Sequence, residues 1–350
     1  MTRTPWVRAL GLGGALALLV ALLVTAFAWP TAHAGPHDVS VGLVAPAPVA
    51  GKVEQALASA APGAFEVTTY PDADAARAAV TDRDVDGALV LGAGRPQLYV
   101  ASAGSSAVAQ LLEQVATTAA TELTGTPAAT PVVATTDLVP LPAADSRGTV
   151  LAAGVVPTVI GSIAIGAIAS LVVRGRARRL ALVAVASVGG GLLVAAVLGP
   201  WLGALPDAYW AVAGVVALGL AGSALLVAGM RGVAGPAGIG IGAVVVMLVG
   251  NPSSGAASAP DLLPTAWGVV GPLLPPGAMV EALRAVTFFD GAHAGRALTV
   301  LVAWVALGVA LLRAGRRGSW AAHVAQAAHR AQLAHRHEHE AAAPAAVPAD

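Results

Sequence analysis

The chain alternates long apolar stretches with short polar breaks through its second half, and a further apolar stretch lies near its N-terminus. Between residues 180 and 230 the only charged residue is Asp207, and residues 232–260 contain none. A helix that crosses the hydrocarbon core of a bilayer needs about 20 predominantly apolar residues. The pattern therefore predicts six transmembrane helices, at residues 9–29, 149–173, 180–202, 209–230, 234–250 and 297–312.

Arginines cluster at one side of these predicted spans. Arg3 and Arg8 precede the first, four arginines follow the second between residues 174 and 179, Arg231 follows the fourth, and Arg313 follows the last. Basic residues concentrate in cytoplasmic loops, and the bias towards Arg, Ala and Gly is typical of a bacterial genome of high GC content. The distribution predicts a multi-pass protein of the bacterial cytoplasmic membrane with both termini cytoplasmic, at residues 1–8 and 314–350.

The first apolar stretch, residues 9–29, has two interpretations. It is long enough for a retained signal anchor, which is the interpretation that the length favours. Ala32-His33-Ala34 has the A-x-A pattern of a signal-peptidase site, so a cleaved signal peptide stays open as the alternative.

Residues 30–148 are the part of the chain that is typical of a soluble domain. Residues 39–44, 65–70, 85–91, 97–100 and 132–138 are β-rich, and helical patterns at residues 52–60, 72–80 and 105–123 separate several of them. The short segment 92–95 is a plausible hairpin connection. Alternating strands and helices predict an extracytoplasmic α/β domain, inserted between the first and second spans of a polytopic α-helical membrane protein.

Composition removes several classes of function. The chain is 57% hydrophobic and 11% charged, has a formal net charge of zero and contains no cysteine. Zero net charge gives no field that would attract nucleic acid, and disulfides and thiolate ligands are excluded within this chain. No acidic or basic residue lies in the centre of a predicted span, which argues against a proton pump or an ion channel. We expect membrane lipids as partners, no cofactor and no enzymatic activity.

Residues 251–296 form neither a clean span nor a simple polar loop, because small polar residues and prolines interrupt them. Irregular backbone at membrane depth survives only where protein or water surrounds it. The segment predicts an outer hairpin that could serve as a gate, within a five-span membrane domain at residues 149–313. The alternative is a solvated loop followed by an interfacial helix at residues 278–289. The candidate gate residues are Asn251, Pro252, Ser253, Ser254, Gly255, Pro275, Pro276, Glu281 and Arg284.

Two smaller features each carry an open alternative. Gly238 and Gly242 form a GxxxG pair, which fits packing within the chain and also fits a contact between copies. In the tail, His335 and His339 share a helix face if the segment is helical, and such a pair can bind a metal. A solvated, partly helical tail that becomes disordered towards its end is the interpretation we favour.

The ordered set of segments resembles the YhgE/Pip (phage-infection-protein) type of membrane protein, in its actinobacterial branch. The segments that carry the resemblance are residues 82–90, 141–148, 251–255, 263–264, 274–277 and 281–284. The resemblance implies an ABC-2-type permease fold, export of a substrate, a homodimer and an ATPase subunit. The predicted inner loops are only a few residues long and offer little surface for an ATPase. A non-transporting scaffold or receptor for envelope or secretion partners is therefore the alternative function.

Overall fold

The structure, a computed structural model, describes residues 6–92, 95–124, 133–205 and 208–315. Five of its helices are long and apolar enough to cross a membrane: α1 (Trp6–Ala32), α5 (Thr149–Leu171), α6 (Arg176–Ala196, which continues as a π-helix to Trp201), α7 (Tyr209–Ala234) and α11 (Ala294–Ala314). They indicate a membrane-embedded, helical, polytopic protein. The predicted turn at Asp207, residues 93–94, and the histidine-rich tail from residue 316 lie outside the described residues.

Between α1 and α5 the chain forms a five-stranded sheet with helices on both faces. The strands are β1 (Val39–Val44), β2 (Phe65–Thr69), β3 (Gly87–Val90), β4 (Gln97–Val100) and β5 (Ala134–Asp137), in the order β2-β1-β3-β4-β5. β3 and β4 pair antiparallel and the other neighbours pair parallel. The helices are α2 (Ala47–Ala60), α3 (Ala73–Thr81) and α4 (Ser106–Thr124). We call residues 33–148 the sheet region.

Apolar residues of the strands in the sheet region are buried on both faces of the sheet, each face against a different helix. One face of the sheet buries Val39, Val41 and Leu98 against Val108 and Leu112 of α4. The other face buries Ala88 and Tyr99 against Ala76, Ala79 and Val80 of α3. Asp72, where the sequence predicts this helix to start, is the N-cap of α3, and its carboxylate accepts a hydrogen bond of 2.8 Å from the Ala75 amide.

Helix α7 lies at the centre of the membrane-embedded helices. Of the residues in its most apolar 18-residue stretch, 72% are buried. The corresponding share is 33% in α5 and 22% in α6 and α11, so these three helices surround α7. Gly166 of α5 and Gly191 of α6 lie directly against backbone carbonyls of α7, where a Cβ atom has no room. By contrast, no residue in the most apolar stretch of α1 is buried, and most of its large side chains between Leu10 and Val24 are exposed.

The predicted fifth span is wrong in its length. Helix α8 (Ala237–Ala243) continues as a π-helix to Gly250, and these 14 residues are too short to cross about 30 Å of hydrocarbon at 1.5 Å per residue. Gly235, at φ +66°, and Pro236 delay its start, and Asn251-Pro252 ends it. Gly238 packs against Met230 and Gly242 against Val227, so this GxxxG pair packs within the chain.

A bent pair of helices follows in the segment that the sequence predicts to be a hairpin. α9 (Thr265–Val270), extended by a 3₁₀ turn to Leu273, and α10 (Pro275–Phe288) meet at 79°, the geometry of a broken span or a re-entrant loop. α10 begins three residues before the predicted helix, because Pro275 and Pro276 occupy its first turn, where proline is tolerated.

This hairpin, residues 251–293, is packed into the helical block. Trp304 of α11 donates a hydrogen bond of 2.8 Å from Nε1 to the carbonyl of Leu273. Trp304 lies ten residues after Ala294, the first residue of α11. The bend of the hairpin at Leu273 therefore lies about 15 Å along α11 from its start, at 1.5 Å per residue. Met279 of α10 contacts Gly219 of α7. The burial of α10 argues against an interfacial helix that lies on a solvated surface.

Candidate functional site

The nine residues that the sequence singles out lie together in the hairpin. Asn251, Ser253, Ser254 and Gly255 are buried in the turn that follows α8, and Pro275 and Pro276 are buried at the start of α10. Gly271 lies against the Ser253 carbonyl, and Gly250 lies against the Pro276 ring. Glu281 and Arg284 lie on α10 and connect this turn to the sheet region.

Arg284 holds the turn in place. Its side chain is 6% exposed, and its Nη2 donates hydrogen bonds to the carbonyls of Gly255 at 2.9 Å, Ser258 at 3.0 Å and Ala256 at 3.3 Å. Gly255 has φ +65°, a left-handed conformation that glycine adopts without strain, and this turns its carbonyl into the cluster. One buried guanidinium therefore fixes three carbonyls of a segment without regular structure.

Glu281 joins this cluster to the sheet region. Its carboxylate lies 3.3 Å from Nη1 of Arg284, at the i,i+3 spacing seen in the sequence, and 3.0 Å from Nη2 of Arg83. Arg83 follows α3 in a left-handed backbone conformation at φ +62°, which is uncommon for a residue other than glycine. Its guanidinium also lies 4.9 Å from the centre of the Phe289 ring. We call Arg83, Glu281 and Arg284 the ionic triad.

Further contacts join the sheet region to the hairpin. The amides of Gly35 and His37 donate to the carbonyls of Leu262 at 3.1 Å and Asp261 at 2.8 Å. Ser105 donates from its hydroxyl to the Ser258 carbonyl at 3.1 Å. Phe289, at the end of α10, is buried in the core on the α3 face of the sheet. Apolar packing, backbone hydrogen bonds and ion pairs thus all act at one junction.

A cavity of about 670 Å³ lies at this junction. Its volume is within the range typical of small-molecule sites. Both the sheet region and the hairpin contribute walls, and α11 closes one side. Its charged and titratable lining residues are His37, Asp38, Arg83, Asp86, Asp261, Glu281, Arg284, His293 and Arg296, with apolar walls from Val80, Val85, Val108, Leu263, Val269 and Phe289. We call this cavity the junction pocket.

The carboxyl groups of the junction pocket influence one another. Burial, followed by repulsion from Asp86, raises the pKa of Asp261 to about 6, and the charges of Glu281 and Asp38 act in the same direction. Burial also raises the pKa of Asp86, although the amide and hydroxyl of Ser40 hydrogen-bond to its Oδ2 at 3.0 and 2.8 Å and oppose the rise. Asp86 and Asp261 therefore form an acidic part of the pocket, and Arg83, which also lines it, lowers the pKa of Asp86 and opposes the rise.

Asp261 should make stability depend on pH. Its pKa in the folded protein, about 6, exceeds its ordinary value of 3.8. Its stabilising contribution is therefore full below about pH 4 and is lost as pH rises through 6. We expect Asp261→Asn to gain thermal stability relative to the wild type as pH rises from 4.5 to 7.5, measured by unfolding in detergent. A constant difference between the two proteins across this range would contradict the assignment.

Sequence reasoning missed the sheet side of the junction pocket. Asp38 precedes β1 and Asp86 precedes β3, and these two strands are parallel neighbours, so both residues lie at the same edge of the sheet. β4 runs antiparallel to β3 and therefore ends at that edge, which brings Ser105 close. The available signal was Asp38 immediately before one predicted strand and Asp86 at the second position of another. Nothing local in the sequence indicated that Arg83 pairs with Glu281.

The junction pocket can bind a polar ligand through hydrogen bonds and ion pairs. Across residues 6–92, 95–124, 133–205 and 208–315, no three His, Asp or Glu side chains are grouped so that they could hold a metal ion. Comparisons with protein-family models, curated proteins and solved structures find no match for this chain.

Proposed function

We propose that this chain is a permease-like protein of the cytoplasmic membrane that exports a polar substrate, and that the junction pocket holds the substrate on the outer side. One observation carries the proposal: the pocket walls come from both the sheet region and a hairpin buried among the membrane helices. A ligand in this pocket contacts both parts at once. Its occupancy can therefore bias the position of α10, which is what coupling between binding and a membrane gate requires.

The proposed topology places the sheet region outside the cytoplasm and both termini inside. Arginines concentrate at one end of the long helices. They are Arg174, Arg176, Arg178 and Arg179 between the end of α5 and the start of α6, Arg231 near the end of α7, and Arg313 near the end of α11. All these positions are at the ends of helices distant from the sheet region, which fits a cytoplasmic location. The bent pair α9–α10 is the sixth membrane element of this proposal, in place of a regular span.

The proposed gate is the hairpin itself. Movement of α10 away from the turn would break the hydrogen bonds that Arg284 makes to Gly255, Ala256 and Ser258, together with the link from Glu281 to Arg83. The triad therefore defines a closed state that a ligand with matching charges could open. The YhgE/Pip resemblance, with its ABC-2-type permease fold, export role and homodimer, supports the same proposal.

A receptor or scaffold function is the second candidate, and one observation favours it. In α5 the buried polar side chains are small hydroxyls that bond to their own helix: Thr158 to Gly154, Ser162 to Val159 and Ser170 to Ala167. These hydroxyls therefore do not form a continuous polar path towards the cytoplasmic end. In this alternative, the junction pocket or the sheet surface binds an envelope or secretion partner, and nothing crosses the membrane.

Affinity purification of the tagged chain from native membranes in mild detergent, followed by mass spectrometry, tests the proposal. Export driven by an ATPase predicts a nucleotide-binding ATPase at stoichiometric yield. Recovery of envelope or secretion proteins without an ATPase would contradict an ATP-driven permease and favour the receptor.

A further inference from the structure

The helix ends opposite the sheet region carry a concentrated positive charge. The arginines there are Arg174, Arg176, Arg178, Arg179, Arg231 and Arg313. Between residues 149 and 250 the only acidic residue of the sequence is Asp207, which lies between α6 and α7 in the sequence, and residues 291–315 contain none. The adjacent helical sequences therefore supply no carboxylates to neutralise these arginines.

The fold brings these helix ends together. Arg176, at the start of α6, donates from Nη2 to the carbonyl of Arg313 at 2.6 Å. Gly232 and Gly315 are in backbone contact, which places the ends of α7 and α11 side by side. Arg179 donates to the carbonyls of Val173 at 2.8 Å and Ser170 at 3.2 Å at the end of α5. Arg176 and Arg179 therefore cap neighbouring helices.

Within the described residues, the other guanidinium groups of this cluster have no protein acceptor. Among the residues that the structure describes, the side chains of Arg174, Arg178, Arg231 and Arg313 make no hydrogen bond or ion pair. Nε of Arg231 is buried and has no hydrogen-bond partner within the described part of the chain. A buried donor without an acceptor costs free energy, but this Nε has no surface that an outside ligand can reach. The exposed side chains of Arg174, Arg178 and Arg313 are the ones open to an external acceptor. Planar guanidinium groups bind phosphate oxygens particularly well, through two parallel hydrogen bonds.

Exposed apolar side chains border the same cluster. Ile168, Leu171 and Val172 precede Arg174 and are 51%, 63% and 73% exposed, and Val233, next to Arg231, is 46% exposed. A free phosphate ion would leave these side chains without a partner. A phospholipid supplies both a phosphate for the guanidinium groups and acyl chains for the apolar surface.

We propose that Arg174, Arg178, Arg231 and Arg313 form a binding site for the phosphate of an anionic phospholipid. The site is separate from the junction pocket and does not depend on the proposed function. The backbone contact between Gly232 and Gly315 places Arg231 and Arg313 at adjacent helix ends. Arg174 lies in the connection between α5 and α6, and Arg178 lies in the first turn of α6. The preference for an anionic headgroup follows because a zwitterionic lipid carries a compensating cation.

Native mass spectrometry of the full chain in detergent tests this site. We expect more retained adducts with phosphatidylglycerol than with phosphatidylcholine of the same acyl chains. The double variant Arg231→Gln, Arg313→Gln should bind phosphatidylglycerol roughly thirtyfold more weakly, since each of the two arginines near an anionic lipid surface contributes on the order of 1 kcal/mol. Arg147→Gln is the matched control: Arg147 is exposed at the other end of α5, so its loss should change nothing.

A second measurement separates binding from folding. Phosphatidylglycerol should raise the thermal midpoint of the wild type and of Arg147→Gln more than phosphatidylcholine does, and the double variant should lose this difference. Millimolar inorganic phosphate should not displace the lipid. Equal retention of the two lipids, unchanged binding by the double variant, or displacement by inorganic phosphate would each overturn the proposal.

Discussion

Replacing Arg284 with alanine is expected to lower the free energy of unfolding by about 3–5 kcal/mol, the range for breaking a buried ion pair from one side. The guanidinium is almost fully buried, and its loss removes one hydrogen-bond donor from each of the carbonyls of Gly255, Ala256 and Ser258. The Gly255 carbonyl keeps the Ser258 amide and the Ser258 carbonyl keeps the Ser105 hydroxyl, so within the described part of the chain Ala256 is the one left without its donor. Among the described residues, Glu281 then keeps Arg83 alone as an ion-pair partner. The effect should appear as a lower midpoint of thermal unfolding in detergent.

Two comparison variants make the result specific to the buried contacts. Arg296→Ala removes an exposed arginine of the same junction pocket and should change stability by no more than about 0.5 kcal/mol. Arg284→Lys keeps the positive charge but lacks the planar fork that reaches several acceptors, so its stability should be intermediate. If Arg284→Ala were as stable as Arg296→Ala, the cluster would not hold the hairpin.

Replacing Gly271 with alanine is expected to separate the two arms of the hairpin. The carbonyl oxygen of Ser253 occupies the space that a Cβ atom at position 271 needs, and backbone cannot move aside as a flexible side chain can. Overpacking of this kind typically costs about 1–3 kcal/mol and sometimes more. The loss should appear in thermal unfolding and as faster proteolysis within residues 251–293.

Gly240→Ala provides the matched control for this substitution. Gly240 lies in α8 and has no atom within 4 Å of the position that a Cβ would take. Alanine is favoured over glycine within a helix by up to about 1 kcal/mol, so this variant should be as stable as the wild type or more stable. Equal behaviour of the variants at positions 271 and 240 would contradict the close contact between the hairpin arms.

The sheet region was largely predictable from the sequence because its local signals agree. β4 occupies residues 97–100 as predicted, and α4 differs from its prediction by one residue at each end. Alternating apolar residues and the acidic start of α3 favour the same elements that tertiary packing stabilises. The arginine clusters likewise marked one end of the long helices, since α6 begins among them at Arg176.

The hairpin was only partly predictable, because its signals conflict. Pro272, Pro275 and Pro276 interrupt the apolar pattern and suggest loops, although Pro275 and Pro276 begin the buried helix α10. The fifth span was predicted from an apolar run, and the run alone does not show that Gly235 and Asn251 limit the helix. Burial of α10 depends on its contacts with α7 and α11, which lie far away in the sequence.

The junction pocket was not predictable as a site. Glu281 and Arg284 could be paired from their i,i+3 spacing, but Arg83 lies 198 positions before Glu281. Asp86 and Asp261 become neighbours only when the hairpin contacts the amino ends of β1 and β3. Long-range electrostatic partners of this kind follow from tertiary structure rather than from a local motif.

The location of the junction pocket on the outer side of the membrane is the central claim, and cysteine labelling tests it most directly. The chain contains no cysteine, so each introduced thiol reports one position. Arg296→Cys, in the pocket, should react with a membrane-impermeant maleimide on intact cells. Arg178→Cys, exposed at the opposite helix ends, should react only after permeabilisation. Labelling of Arg178→Cys but not of Arg296→Cys on intact cells would contradict the account.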